Sequence, residues 1–391
     1  MSEKVITDYQ EITRVLTDRT MRQALYDEGG VVMEDVLLTL HGTAHHKRRV
    51  LEFSILRKDY FAYYEAEVFP AALAQVFDTL AASGAMDLVE FGYRVTMNLT
   101  ADFAGIDRPE KSPEETERLL KLVKIFSEGA TLVHSTRDKD EVRAEVRAAL
   151  EVLRTDFLAP SIARREEALA AGGDQLPRDV LTLLLRDREK LELSDDVILR
   201  EMAFFLQAGS HSTANSTVHA LHNIFTHWPT LEARRELAKD RLFVQRCVHE
   251  SFRLHPASPV AWRTPEAVCP VTGPQRIVLD FATANRQKDI FGANADEFDP
   301  NRPKPAGAPI WGLTFGFGAH MCLGRDLDGG LASTPETDPD THQYGIVAQL
   351  VLALMARDVR PDPANPAVQD MNTSRKNFSS YPVLLNPELR K

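Results

Sequence analysis

One stretch constrains this chain more than any other: Phe315-Gly316-Phe317-Gly318-Ala319-His320-Met321-Cys322-Leu323-Gly324. Its three glycines let the backbone take tight, positive-φ turns and lie close against a flat ligand. Phe315, seven residues before Cys322, is placed to shield the cysteine's sulfur. The stretch predicts a loop that presents a thiolate beneath a planar ring. The plainer alternative is a small buried hydrophobe, since free cysteine is among the most buried residue types.

A loop of this kind needs a large core around it, and the 391-residue chain can supply one. Hydrophobic residues make up 43% and charged residues 26%, the balance of an ordinary globular protein. No Pro/Gly/Ser-rich linker divides the chain, so one large domain over residues 1–391 is expected. Met1 to Val5 carries no basic segment leading into an apolar run. The longest apolar run toward the C-terminus, Leu350 to Ala356, falls far short of the ~20 residues that span a bilayer. A soluble, cytoplasmic protein without membrane contact is expected. Cys247, Cys269 and Cys322 form no close-spaced pair, which fits a reducing compartment. The net charge of −11 argues against generic binding to nucleic acid or anionic membranes.

Val5 to Leu16 reads as a strand end running into a short amphipathic helix with Ile12, Val15 and Leu16 on one face. A second helix opens at Gly42 and runs to about Ile55. His45 and Arg49 are four apart and share a face, which alone would describe a solvated basic surface. His41 and His45 lack the further ligand a zinc site needs. Residues 59–83, 86–103, 112–128 and 138–170 repeat apolar positions at helical spacing. Ser112-Pro113-Glu114-Glu115 is a helix start with a capping hydroxyl, proline in the first turn and acids behind it. A short buried helix follows at 179–185.

A long helix runs from Ser194 to Trp228, with Asp195 and Asp196 in its first turn and Pro229 beyond its end. Its middle, Phe204 to Ser216, is rich in Gly, Ser, Thr and Asn, against helix propensity. Two readings stand: a local distortion kept for a purpose, or a crowded helix crossing where only small residues fit. Glu250 and Arg253 stand three apart and can pair. Residues 257–264 read as extended, and 267–271 and 276–281 as strands of a small sheet. Residues 324–345 form a loop insertion marked by Gly329-Gly330, Pro335 and Pro339. It carries Asp326, Asp328, Glu336, Asp338 and Asp340, and a clear helix resumes from Tyr344.

The pattern Phe-Gly-x-Gly-x-His-x-Cys-x-Gly over 315–324 resembles the haem-thiolate loop of the cytochrome P450 family, and the likeness extends from Val5 to Leu385. It implies a mainly α fold with a small β-region, with haem b held between the long helix and the cysteine loop. By the resemblance, Cys322 is the iron ligand, Phe315 shields it, and Gly316 and Gly324 shape the loop against the ring. An axial thiolate pushes electron density onto haem iron and favours O–O cleavage. Gly42-x-x-His45-x-x-x-Arg49 matches the family's propionate-binding helix, and Arg263 and His320 match two further propionate ligands. Carboxylates take such donors as charge-assisted hydrogen bonds.

Ala208-Gly209-Ser210-His211-Ser212-Thr213 is similar to the family's Ala-Gly-x-acid-Thr-Thr/Ser stretch, whose acid and alcohol relay protons during oxygen activation. Here His211 stands where the acid belongs and Ser212 where threonine belongs. Ser212 keeps a hydroxyl donor. His211 has a reference pKa near ~6.5 and is expected to titrate in the physiological range. Thr213 would assist, and Gly209 would leave space. The resemblance places Phe205, Ala208, Val260 and Ala261 on the substrate cavity, with Phe378 near the tip of a hairpin over 377–385. Arg302 would complete a Glu250-Arg253-Arg302 scaffold.

The activity implied is monooxygenation of a small apolar or aromatic substrate by dioxygen, with two electrons from a ferredoxin or flavodoxin-type donor. Two departures qualify it. The helix and strand that family members usually carry before Val5 are not expected here, which implies either a truncated N-terminal β-region or a sheet completed in some other way, with a sheet edge where a partner chain could pair. The acidic insertion would sit on the proximal face, where like charge disfavours an acidic ferredoxin, so an unusual donor is expected unless the insertion folds away. The exchange at His211 and Ser212 keeps open a peroxide-driven or non-oxidative enzyme, and a non-enzymatic haem sensor.

Overall fold

The computed structural model describes residues 2–55, 58–80, 84–172, 176–267, 275–386 and 388. The chain begins with strand β1 (Ser2–Ile6) and helix α1 (Tyr9–Thr17), whose first turn is capped by the Asp8 carboxylate accepting from the Glu11 amide at 2.7 Å. Tyr9, Ile12 and Leu16 are buried, while Val15 is only half-buried, so the apolar face is rotated from the expected one. Strands β2 (Met21–Gln23), β3 (Val260–Pro265) and β4 (Gln275–Asp280) complete a sheet in the order β1-β4-β3-β2. β1 runs parallel to β4, from Ser2 opposite Gln275 to Ile6 opposite Leu279. The strand expected at 267–271 lies outside the described residues from 268 onward, and β3 stands beside β4 instead.

The larger core is helical. Helix α2 (Gly42–Phe53) stops two residues short of Ile55. The run read as one helix over 59–83 widens into a π turn at Tyr64–Val68, and that over 138–170 does the same at Leu153–Leu158. Pro70 and Pro160 follow these turns. A proline ring clashes with the carbonyl four residues back, and a widened turn relieves that clash. Helix α3 (Leu88–Ala104) is capped by Asp87, and α4 (Pro113–Ala130) by Ser112 as its sequence predicts.

Helix α5 (Asp195–His227) runs through the helical core without a break, against the expected distortion of its centre. Its small residues serve a tight crossing with α3. A Cβ on Gly92 would lie 3.0 Å from Ala214, and one on Gly209 would overlap the Thr100 methyl. Ser210, Ser212 and Thr217 return their hydroxyls to carbonyls four residues back, at 2.7 to 2.8 Å, so these polar groups are satisfied within the helix.

Helix α6 (Arg241–Leu254) leads to a buried anchor. The Glu250 carboxylate holds Arg253 at 2.6 Å and Arg302 at 3.1 Å, while Arg253 donates to the carbonyls of Asn285 and Ala295. This is the scaffold expected of the three residues. After the cysteine loop come a single turn, α7 (Arg325–Asp328), a loop, and α8 (Ile346–Met355).

Candidate functional site

The cysteine loop is shaped by local backbone needs. Gly316 and Gly318 have φ of +67° and +69°, where glycine is favoured, and a Cβ on Gly318 would lie 2.5 Å from the Leu16 carbonyl at the end of α1. The Cys322 amide donates to the Phe315 carbonyl at 2.8 Å, which closes the loop. Phe315 is buried edge-on against Phe252 and Trp311, with ring centroids 5.3 and 5.6 Å away. Gly324 corrects the expectation for the third glycine: its φ is −87°, and open space lies where a Cβ would sit.

The loop forms one wall of a cavity of about 380 Å³, and α5 lines it as well. Helix α2 brings His45 and Arg49 to it, β3 brings Arg263, and the loop itself brings His320. The His45 and His320 rings stand 4.3 Å apart; His45 Nε2 and His320 Nδ1 are buried without a partner among the described residues. Arg49 donates to the Met321 carbonyl at 2.6 Å, and Arg263 to the carbonyl of Trp262 at 2.9 Å. Among the described residues neither guanidinium has a carboxylate at ion-pair distance. Burial first, then the charge of Arg49, lowers the His45 pKa to about 4. Burial and the neighbouring bases lower that of His320 to about 3, and burial pulls Arg263 down to about 10. Four bases thus converge without an acid, an arrangement suited to an anionic group.

The Cys322 side chain opens onto the same cavity. Burial, then the Asp328 carboxylate, pushes its thiol up to about 11, opposed by the Gly324 amide, Arg49 and Arg325. A free nucleophile would need a lowered pKa; this cysteine loses its proton only to a cation placed on the sulfur.

Across the cavity, the residues expected to manage protons are engaged elsewhere. Ser212 donates to the Ala208 carbonyl at 2.8 Å, and Thr213 donates to Asp328 Oδ1 at 2.6 Å. His211 Nδ1 meets the Tyr93 hydroxyl at 2.5 Å, and burial drives its pKa well below the ordinary value. His211 is therefore neutral across physiological pH, which corrects the expected titration. Gly209 makes room for Thr100 rather than for a ligand.

Phe205, Ala208, Val260 and Ala261 line the cavity, but Phe378 does not. Its ring packs against His222, Tyr381 and His219 at 5.3, 5.0 and 5.6 Å. Arg375, three residues earlier, reaches the cavity in its place. Asp328 is also on the wall, and burial raises its pKa to about 6. Of the five acids of the insertion, Asp326 pairs with Arg325 at 2.7 Å and Asp328 turns inward, which leaves Glu336, Asp338 and Asp340 exposed. Among the described residues, no helix is long and apolar enough to cross a membrane.

Residues 140–327 match the family model described as Cytochrome P450. "Cytochrome P450-terp" of a Pseudomonas species is 32% identical over 155 residues, 38% of this chain and 34% of that protein. The "Biotin biosynthesis cytochrome P450" of Bacillus subtilis is 29% identical over 156 residues, 38% of this chain and 37% of its relative. The matches thus span only about a third of the length of these relatives. The fold extends further. The chain superposes on P450BioI with a TM-score of 0.74 at 17% identity, covering 97% of this chain and 92% of the other. It also superposes on the Tepidiphilus thermophilus P450 heme domain with a TM-score of 0.73 at 18% identity, covering 98% and 88%. The matching domain model thus runs through the cysteine over residues 140–327, and the chain has the fold of the solved P450 structures over nearly its full length.

Proposed function

We propose that the chain is a haem-thiolate monooxygenase that oxidises a small, largely apolar substrate. The observation that carries this reading is the meeting, in one cavity, of an open cysteine and four bases with no acid partner. That donor set fits haem b. Cys322 would hold the iron, with Phe315 covering the sulfur and the open space beside Gly324 admitting the ring. Arg49, Arg263, His45 and His320 would receive the two propionates, and the unpartnered imidazole nitrogens would supply hydrogen bonds where the guanidiniums supply charge. Haem iron with a thiolate ligand supplies reductive activation of dioxygen and transfer of one oxygen atom.

The chain's own contribution is to bind and to exclude water. Phe205, Ala208, Val260 and Ala261 give the cavity an apolar wall. Solved structures of this fold hold an acyl-carrier-bound hexadec-9Z-enoic acid, erythromycin B and testosterone, so the architecture admits very different apolar bodies. A ferredoxin or flavodoxin-type protein would supply electrons, with exposed Glu336, Asp338 and Asp340 disfavouring an acidic donor if they flank the docking face. The decisive experiment is the absorbance spectrum of the reduced protein treated with carbon monoxide. The reading requires the band position of a thiolate-ligated haem in the native chain and its loss in Cys322→Ser. A native protein that takes up haem without that band would end the reading.

A second reading, a peroxide-driven enzyme, is favoured by the hydrogen bonds of Ser212, His211 and Thr213, each of which points its polar atom at protein. Turnover supported by peroxide but not by dioxygen with any reductase would select it. A loss of dioxygen-driven product in Ser212→Ala, with peroxide-driven product retained, would select the first reading.

A further inference from the structure

We infer that the substrate carries a carboxylate and that Arg375 receives it; this rests on the monooxygenase reading and names the substrate class of the same cavity. Arg375 lies in the loop joining the short strands Val368–Gln369 and Phe378–Ser380. That loop is pinned to the turn that follows α4. The Thr136 amide donates to the Asn372 carbonyl at 3.0 Å, the Ser374 amide to the His134 carbonyl at 2.7 Å, and the Thr136 hydroxyl to the Met371 carbonyl at 2.7 Å. The guanidinium is thereby held at the cavity wall by its backbone.

Its own donors are poorly matched. Nη2 donates to the Thr131 hydroxyl at 2.9 Å, while Nη1 to the Ala257 carbonyl and Nε to the Thr373 hydroxyl are both long, at 3.4 Å. No carboxylate lies at ion-pair distance from it among the described residues; besides burial, the groups that act on it electrostatically are Tyr93 and Tyr26, then Asp370. Arg375 is half-buried. Three more deeply buried arginines are matched, Arg48 to Glu201 at 2.6 Å, Arg165 to Asp179 at 2.7 Å and Arg253 to Glu250 at 2.6 Å, while buried Arg234 is held by the carbonyls of Trp228 and Pro229. A guanidinium partly withdrawn from water without an anion is costly, and a fork of parallel N–H groups suits a carboxylate.

Position separates this cation from the haem-binding set. Two propionates would bring two negative charges, which Arg49 and Arg263 offset. Arg375 is a third guanidinium on the wall; Asp328, the carboxyl group there, is engaged by Thr213 and is not at ion-pair distance from Arg375 among the described residues, so Arg375 has no counter-charge in contact. A monocarboxylic acid whose head meets Arg375 and Thr131, and whose apolar body lies along Phe205, Ala208 and Val260, would balance it.

The test is an absorbance titration of the haem-loaded protein with matched pairs, dodecanoate against methyl dodecanoate and 4-butylbenzoate against its methyl ester. Haem content and the carbonyl band are measured first. A charge-assisted pair predicts that the acids bind on the order of tenfold or more tighter than their esters. Arg375→Gln should abolish that preference with haem content and ester affinity unchanged, and Arg375→Lys should retain part of it. Equal binding of acid and ester by the native protein, or no response to any acid, overturns the inference while leaving the haem reading intact. Loss of haem from Arg375→Gln, with the native fold kept by circular dichroism, would assign the guanidinium to a propionate and also overturn it. Absence of the thiolate band in the native protein would instead sink the monooxygenase reading itself.

Discussion

The insertion after the cysteine closes on itself at two glycines, and Gly330→Ala should open it. Gly330 has φ +69° and Gly345 φ +82°, and their backbones touch. A Cβ on Gly330 would overlap the Tyr344 carbonyl and lie 2.6 Å from the Gln343 carbonyl oxygen. The neck is tied by the Leu331 amide to the Gln343 carbonyl at 3.0 Å, and by Gln245 Nε2 to the carbonyls of Leu331 and Tyr344 at 3.0 and 2.9 Å. From the far side, Glu65 Oε1 accepts from the Tyr344 amide at 2.7 Å. Every clashing atom is backbone, so relief requires the neck to part. The left-handed conformation costs alanine ~1–2 kcal/mol, and two or three hydrogen bonds at ~1 kcal/mol each go with the neck, for a total of roughly 3–5 kcal/mol. Gly307→Ala is the control: φ is +75° with open space around it, so only the conformational cost of ~1–2 kcal/mol applies. Thermal melts of the haem-loaded variants should place Gly330→Ala several degrees below Gly307→Ala. Haem should also be released earlier, because α7 joins the neck to Cys322. Equal midpoints for the two variants would refute the argument that the neck is rigid.

Glu250→Gln should destabilise the fold by ~3–5 kcal/mol, because it strips the counter-charge from fully buried Arg253 and from Arg302; a urea midpoint within error of the native protein would contradict the buried-pair account. Glu52 and Glu201 are both fully buried, Arg48 pairs with Glu201, and among the described residues both Glu52 oxygens lack a hydrogen-bond partner. Burial, then the charge of Glu201, raises the Glu52 pKa well above the ordinary range; burial raises that of Glu201 against the opposing Arg48. A folded-state carboxyl pKa above its unfolded value binds extra protons in the fold. The contribution is therefore present at acid pH and lost as pH rises through the folded values. Urea midpoints at about pH 5 and about pH 8 should fall with pH in the native chain and fall less in Glu52→Gln; an equal fall in both would place the pH dependence elsewhere. His211, neutral against Tyr93, should leave no trace in the pH profile of ligand binding. A step between about pH 6 and about pH 8 that disappears in His211→Gln would show it to be charged after all.

Much of the fold was legible because apolar period and caps are local. Ser112 and Ser194 cap their helices, and the long helix occupies the span its pattern predicts. The glycine turns at Gly316 and Gly318 were also readable from residue type, whereas the Glu250-Arg253-Arg302 scaffold was implied by the family resemblance, since Glu250 and Arg253 alone would describe an ordinary ion pair. The small residues of α5 admitted two readings, and the sequence could not choose between them. The choice lies in what α3 places opposite: Thr100 fills the space that Gly209 leaves, and Ala214 meets Gly92. A partner more than 100 positions away decides whether a glycine makes room for a ligand or for another helix.

The same limit governs the cavity wall, and it fell unevenly on the candidate residues. Val260 and Ala261 open strand β3 opposite Asp280 and Leu279 of β4, and both reach the wall although successive strand residues face opposite sides. Phe378 lies at the end of a two-residue strand pairing with a register shift, where alternation fixes little. What aims that hairpin is its attachment to residues 134–136, more than 230 positions earlier, made by two main-chain hydrogen bonds that almost any residue type could supply and by the Thr136 hydroxyl. The family resemblance nominated Phe378, while the backbone sends it against His222 and Tyr381 and brings Arg375 to the wall. An unmatched guanidinium would not be nominated from sequence, since arginine in a hairpin loop is ordinarily a solvated residue. Its significance comes from the lack of a carboxylate at ion-pair distance among the described residues, which only the assembled cavity defines. A site's charge balance is a property of the fold, and here it changes the expected substrate from an apolar molecule to an apolar acid.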